Sequence, residues 1–263
     1  MMCPMGSIAT ARGRIGFDEL GIGDATPILF LHGVGSDKSV WSPQLNHFGK
    51  TRRAVAFDYP GYGESDFVEA ATRDDFAISI LAAMDKVGID HAHVCGLSLG
   101  GVVAIAMHAA EPGRCASLII ADSFVVHPDG QAIYDRSVAA SQSMTMRELA
   151  EARTGMLLGS AATDQLRVEV IDTMAAIDPA AYRLGAAAVW LADQRDRVAA
   201  IDVPTLVLVG DEDGVTPPAL SAELALLIAG SQLVHIPEAG HLANAEQPEA
   251  FNSAIESFLA ELG

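Results

Sequence analysis

A serine stands between two glycines, in the order Gly96-Leu97-Ser98-Leu99-Gly100, with an apolar run short enough for a strand before it and a longer helical run after it. A G-x-S-x-G pattern in that setting has a mechanical meaning. The serine takes a strained backbone conformation at a sharp strand-to-helix turn, so that its hydroxyl projects clear of the sheet edge. Side chains at either glycine would collide with the helix or the neighbouring strand. The helix that starts there aims its amide ends at the same spot, which favours developing negative charge. Such a hydroxyl can attack a carbonyl, provided a base stands beside it.

Eight histidines compete for that role. His91 and His93 flank a strand start far from the serine, and His108 lies about three turns along the helix that follows it. His47 reads as a surface helix residue and His235 as a strand residue. His241 differs. It sits in IPEAGHLANAEQPEAF, after the last strand and before the last helix, at the carboxyl edge where catalytic groups of open α/β sheets gather. An imidazole base needs an acid to fix its tautomer, and TLVLVGDEDGVTPP offers Asp211, Glu212 and Asp213 just after the penultimate strand. The order Ser98, Asp213, His241 is nucleophile, acid, base; Asp211 and Asp122 are alternatives at the same edge. For an oxyanion hole, the residues point to the backbone amides of Leu99 and of Val34, the latter in LFLHGVGSD. His32 reads as a brace for that loop.

These groups must be carried by elements that end at one edge. PILFL (27–31), AVAF (54–57), HVCGL (93–97), SLIIA (117–121), TLVLVG (205–210) and QLVHI (232–236) read as strands. Their nearly continuous apolar character suits strands buried on both faces of a parallel sheet. Residues 73–88 predict a helix with Phe76, Ile80, Met84 and Val87 on one face, capped by Thr72 and Asp75. A last helix from about Pro248 buries Phe251, Ile255, Phe258 and Leu259. Strand–helix alternation predicts an α/β fold, a mostly parallel central sheet with helices on both faces. From 122 to 197 only helical segments appear, over 131–153, 163–177 and 179–193. This interval reads as a helical cap inserted into a core of 1–121 and 198–263.

The bulk numbers narrow the class. Half of the 263 residues are hydrophobic and 19% are charged, a globular composition. Sixteen basic against 34 acidic residues give −18, which speaks against nucleic acid or an anionic membrane as partner. Cys3, Cys95 and Cys115 show neither disulfide nor metal-ligand spacing. The N-terminal MMCPMGSIAT lacks a secretory pattern, and no apolar run is comfortable as a membrane span. A cytoplasmic location is the expectation.

HGVGSD, DYPGYGES (58–65), GLSLGG, GDEDGVTP and PEAGHLANAEQPEAF together resemble the α/β-hydrolase superfamily over nearly the whole length. Its G-x-x-D-x-x-x-P pattern maps onto Gly210, Asp213 and Pro217, which favours Asp213 over Asp211. Ser98, where other branches carry an aspartate nucleophile, separates the chain from haloalkane dehalogenases and epoxide hydrolases. HGVGSDKSVWSPQ, CGLSLGG and HLANAEQPEAF are similar to the 3-oxoadipate enol-lactonase group and its bacterial carboxylesterase relatives. The cap departs from the lactonases, reading AAYRLGAAAVWLAD (180–193) where they carry Gly-Tyr followed by small residues or cysteine. The resemblance implies a serine hydrolase of a small ester or lactone, working through an acyl-enzyme with no cofactor or metal. Its alternatives are hydrolysis of a carbon–carbon bond in a vinylogous diketone and a non-turnover small-molecule receptor. Trp190, Tyr182, Phe124 and Met144 are the candidates for the substrate pocket, and Arg183 for a substrate carboxylate. His127, near the start of the cap, is open.

Overall fold

The computed structural model describes residues 5–263, so Cys3 lies outside the described residues. Eight strands form one sheet: β1 Met5–Thr10, β2 Gly13–Leu20, β3 Ile28–Leu31, β4 Ala54–Phe57, β5 Ala92–Leu97, β6 Cys115–Ala121, β7 Thr205–Gly210 and β8 Gln232–Ile236. Their order is β1-β2-β4-β3-β5-β6-β7-β8. From β4 to β8 every pairing is parallel, whereas β1 and β2 form an antiparallel hairpin that joins the sheet antiparallel to β4. The six expected strands are all present. The hairpin is an addition, because GRIGFDEL buries Ile15 and Phe17 while its flanking residues remain partly exposed.

The apolar runs of the central strands feed two layers, since neighbouring side chains point to opposite faces. Leu29, Leu31, Val94, Leu118 and Ile120 pack on one face against α2 (Arg73–Val87) and α3 (Leu99–Ala110). Ile28, Phe30, Cys95, Leu97 and Ile119 pack on the other with Trp41, Leu45 and Phe48 around α1 (Ser42–Phe48) and with Phe251, Ile255 and Phe258. The predicted cap of α2 is in place: Thr72 Oγ1 accepts from Asp75 N–H and the Asp75 carboxylate accepts from Thr72 N–H.

The interval between β6 and β7 holds α4 (Gly130–Ser143), α5 (Met146–Leu157), α6 (Asp164–Ala175), α7 (Pro179–Trp190) and a short α8 (Arg195–Val198). The helix expected over 131–153 is two. Met144 leaves the helical conformation and Thr145 starts a new helix through a capping box with Glu148, a Thr-x-x-Glu signal that is visible in the sequence. The chain closes with α9 (Pro218–Leu227), α10 (Ala243–Glu246) and α11 (Pro248–Glu261). Among the described residues no helix is long and apolar enough to cross a membrane.

Candidate active site

Ser98 is the residue between β5 and α3, with φ 55° and ψ −112°. The neighbouring glycines explain how the turn closes. A Cβ on Gly96 would strike the Gly100 carbonyl, and one on Gly100 would strike the Leu31 carbonyl at the end of β3. The strained conformation is held by the Ser98 N–H, which donates to Ala121 O at 2.9 Å, and by Ser123 Oγ, which donates to Ser98 O at 3.0 Å. Ser98 is 1% exposed, and its Oγ has no hydrogen-bond partner among the described residues. A buried hydroxyl is ordinarily satisfied, so this one is left free at the start of a helix, beside the Leu99 amide.

Asp213 and His241 come from the loops after β7 and β8, and the parallel register of those strands brings the loops together. His241 Nδ1 lies 2.9 Å from Asp213 Oδ2. Thr216 Oγ1 donates to the same oxygen at 2.7 Å, while Asp213 Oδ1 accepts from the Val215 and Thr216 amides at 2.8 and 2.9 Å. Burial by itself would raise this carboxyl. The His241 charge and the hydrogen bonds from His241 and Thr216 outweigh that and hold it below the usual value. An ionised, acceptor-only carboxylate puts the ring proton on Nδ1 and leaves the Nε2 lone pair for a base.

The other acids at this edge are placed differently. Asp211 pairs with His235 at 2.7 Å, away from His241. Asp122 follows β6 with φ 47°, is fully buried, and accepts the Gly210 N–H on Oδ1 at 2.8 Å. Its Oδ2 has no donor. Burial first, and then the adjacent Asp213 charge, push the Asp122 carboxyl well above its usual value, which favours its neutral form beside Asp213.

The loop after β3 is braced from below. A Cβ on Gly33 would lie 3.6 Å from Ser98 Cβ, so the loop passes beside the serine, and Val34, the next residue, borders the same cavity. Tyr59 and Tyr62 hydroxyls donate to the His32 and Val34 carbonyls at 3.2 and 3.1 Å. His32, fully buried and lowered in basicity chiefly by that burial, donates Nδ1–H to Gly33 O at 2.8 Å and so acts as a brace. A buried ion pair pins the far end: Lys38 Nζ lies 3.0 Å from Asp58 Oδ2, and the Lys38 amide donates to Oδ1 at 2.8 Å.

One cavity of about 450 Å³ reaches all of this, a volume suited to a small organic ligand. Ser98, Gly33, Val34 and His241 border it from the sheet edge, and Arg153, Leu157, Val170, Met174 and Trp190 border it from α5, α6 and α7.

Comparison with known proteins fits this geometry. The family described as alpha/beta hydrolase fold matches residues 26–248. The chain belongs to the alpha/beta hydrolase family. The chain is 28% identical to 3-oxoadipate enol-lactonase 1 of Acinetobacter baylyi over 91% of this chain and 90% of that one. It superposes on the enol-lactonase from Burkholderia xenovorans LB400 with a TM-score of 0.90 at 26% identity, covering 97% and 99% of the two chains. A thermophilic esterase from Thermogutta terrifontis gives 0.90 at 27% identity, covering 98% of each chain.

Around the cavity the sequence-predicted pocket residues separate. Trp190 borders the cavity, but Tyr182, Phe124 and Met144 do not. Phe124 lies behind Trp190, stacked on it with centroids 5.9 Å apart. Tyr182 is fully buried and accepts a hydrogen bond from Arg153 at 2.7 Å. Met144 is 43% exposed at the break between α4 and α5. Periodicity locates an apolar face but not which neighbour it meets, and these three faces meet protein or solvent. Arg183 also lies outside the lining, and His127 packs edge-on against Trp190.

Three residues of the site escaped sequence reasoning. Arg153 enters the cavity from α5, where nothing in its helical spacing distinguishes it from a solvated arginine. Thr216 reads as a loop residue, yet its hydroxyl reaches Asp213. Glu246 gathers the amides of Gly159, Gly240 and Leu242 at 2.7, 3.0 and 3.2 Å, and so ties down both residues flanking His241.

Proposed function

We propose that the protein is a serine hydrolase of small carboxylic esters or lactones. The carrying observation is the meeting of three features: an unpartnered Ser98 hydroxyl at a strained elbow, a shared cavity, and a His241 ring whose Nδ1 is engaged by Asp213.

In this reading His241 Nε2 takes the Ser98 proton as Oγ bonds to the substrate carbonyl carbon. The carbonyl electron pair moves onto oxygen, where the Val34 and Leu99 amides receive the charge. The intermediate collapses with cleavage of the bond to the alcohol oxygen, which takes the proton from His241. Water then gives a proton to His241 and attacks the acyl carbon, and Ser98 leaves with that proton. One water is consumed, and in a lactone the alcohol stays tethered to the acid. The Oγ to Nε2 hydrogen bond belongs to the substrate complex, as catalytic hydrogen bonds tighten on binding. We read 122–197 as a cap on the 1–121 and 198–263 core, with Trp190 as a wall of the substrate pocket, in keeping with the helices α5 to α7 that border the cavity.

The test is turnover of 4-nitrophenyl acetate by Ser98→Ala. Activity should fall by at least about 1,000-fold with an unchanged melting curve. Activity retained in a folded variant removes Ser98 from the mechanism.

A further inference from the structure

The opposite edge of the sheet carries a second hollow that the hydrolytic mechanism does not use. β5 holds His93 near its start, and Ser98 follows its end, about 16 Å away at roughly 3.3 Å per residue. Around His93 the segments before β3, β4 and β7 meet the last turns of α11 and leave a groove of about 770 Å³. It shares no residue with the cavity at Ser98. Phe48, Leu259 and Leu262 give it an apolar side, Leu262 being 38% exposed, and Arg52 and His93 border the same space.

Arg52 is short of partners. Its Nη1 donates to Thr26 O at 3.2 Å, while its Nε is buried with no acceptor. Among the described residues no carboxylate oxygen lies within 4.0 Å of this guanidinium, and Glu256, an acid on the same groove, is paired with His47 at 2.8 Å. A part-buried charge is ordinarily paired, and this one has only a carbonyl. His93 is 8% exposed, with Nδ1 2.8 Å from Ser117 Oγ. Ser117 is fully buried and its hydroxyl has no other partner, so it donates to Nδ1 and the ring proton sits on Nε2. Burial first, and then the Arg52 and His91 charges, push this imidazole down to about 4, so the ring is neutral at neutral pH. Its Nε2–H has no acceptor among the described residues. One dipeptide brings the two groups together: the His93 N–H donates to Pro27 O at 2.9 Å, beside the Thr26 carbonyl that takes Arg52.

We propose that this groove is a second ligand site, for a monocarboxylate with an apolar body. Arg52 and the His93 Nε2–H take the carboxylate, and Phe48, Leu259 and Leu262 take the hydrocarbon. A planar acceptor suits a guanidinium with one arm tied back. A second negative charge on the ligand is disfavoured, because Asp24 and Glu256 are exposed at the groove and no other lysine or arginine borders it.

The test is calorimetric titration of butyrate, hexanoate and octanoate into the full chain. Octanoate should bind with a Kd of about 1 mM or tighter, and affinity should rise with each added methylene, by at most about 4-fold. 1-Hexanol and adipate, which remove the charge or double it, should each bind about 10-fold or more weakly than hexanoate. Arg52→Gln should weaken octanoate by about 10- to 100-fold, the range for losing a hydrogen bond to a charged group. Leu262→Asp, at an exposed position just past α11, should weaken it by about 10-fold or more. Arg153→Met, in the cavity at Ser98, should leave it unchanged. Absence of octanoate binding overturns the proposal, and so does binding that survives in both Arg52→Gln and Leu262→Asp. Binding lost in Arg153→Met and kept in Arg52→Gln puts the acid at Ser98 and overturns it too. The same holds for an affinity that does not rise from butyrate to octanoate, or that is equal for hexanoate and either analogue. Should Arg52→Gln not fold, Leu262→Asp decides alone. The readout is binding, so every outcome stands whether or not Ser98 is a nucleophile.

Discussion

Asp213 and His241 are joined at 2.9 Å by a carboxylate whose two oxygens take four hydrogen bonds, from the Val215 and Thr216 amides, the Thr216 hydroxyl and the imidazole. The carboxylate is thereby fixed in orientation before it touches the ring. Asp213→Asn keeps the shape but presents an amide, which no longer selects the Nδ1–H tautomer. It should lower kcat for 4-nitrophenyl acetate by about 10,000-fold with little change in KM. Thr216→Val removes one of the four donors and leaves the charge, so a loss of about 10-fold is expected. Equal losses in the two variants would show that the charge is not what matters.

Glu246 acts one step further out. Its carboxylate bonds the amides on both sides of His241 and, through Gly159, the segment that follows α5. The last residue of α5 is fastened to the same loop by the His241 N–H, which donates to Leu157 O at 2.8 Å. Glu246→Ala leaves three part-buried amides without their acceptor, at a cost of about 1–3 kcal/mol. The melting temperature should drop by roughly 2–10 °C, and, with His241 as the proposed base, kcat should fall more than KM rises because the ring loses its orientation. A stable variant with normal kcat would show that the loop holds its shape without this contact.

The parts of this site that were legible in the sequence are those whose local chemistry is self-sufficient. Ser98 is announced by two glycines whose Cβ positions are sterically forbidden. Asp213 and His241 stand just past two apolar runs, one in the fully buried β7 and one in β8, the part-exposed strand at the sheet edge. The hairpin β1–β2 was missed because, at the sheet edge, β2 buries only Ile15, Gly16 and Phe17 and mixes Gly, Arg and Asp among its apolar residues. In the interval between β6 and β7 each helix has apolar residues, but their targets are set by tertiary packing. Phe124 and Tyr182 therefore support Trp190 and Arg153 from behind instead of meeting the cavity. Arg153, Thr216 and Glu246 share one property: each acts through a partner distant in sequence or through a loop geometry that no spacing encodes.

Asp122 gives a prediction about stability instead of rate. In the unfolded chain its carboxyl titrates near 3.8, and in the folded chain burial and the Asp213 charge hold it well above that. The folded state therefore retains a proton that the unfolded chain releases. Stability falls as pH rises wherever the folded state binds more protons. The contribution of this group is complete below about pH 4 and is lost with increasing pH until the folded carboxyl ionises, at a slope of at most about 1.4 kcal/mol per pH unit. Asp122→Asn removes the titration and keeps the side chain's size and shape, and its carbonyl can accept the Gly210 N–H now 2.8 Å from Oδ1. Urea denaturation of the two proteins from pH 4.5 to 8 should show the variant gaining on the wild type as pH increases. Parallel stability curves across that range would mean that Asp122 is ionised in the folded protein, and the account of a neutral acid beside Asp213 would be wrong.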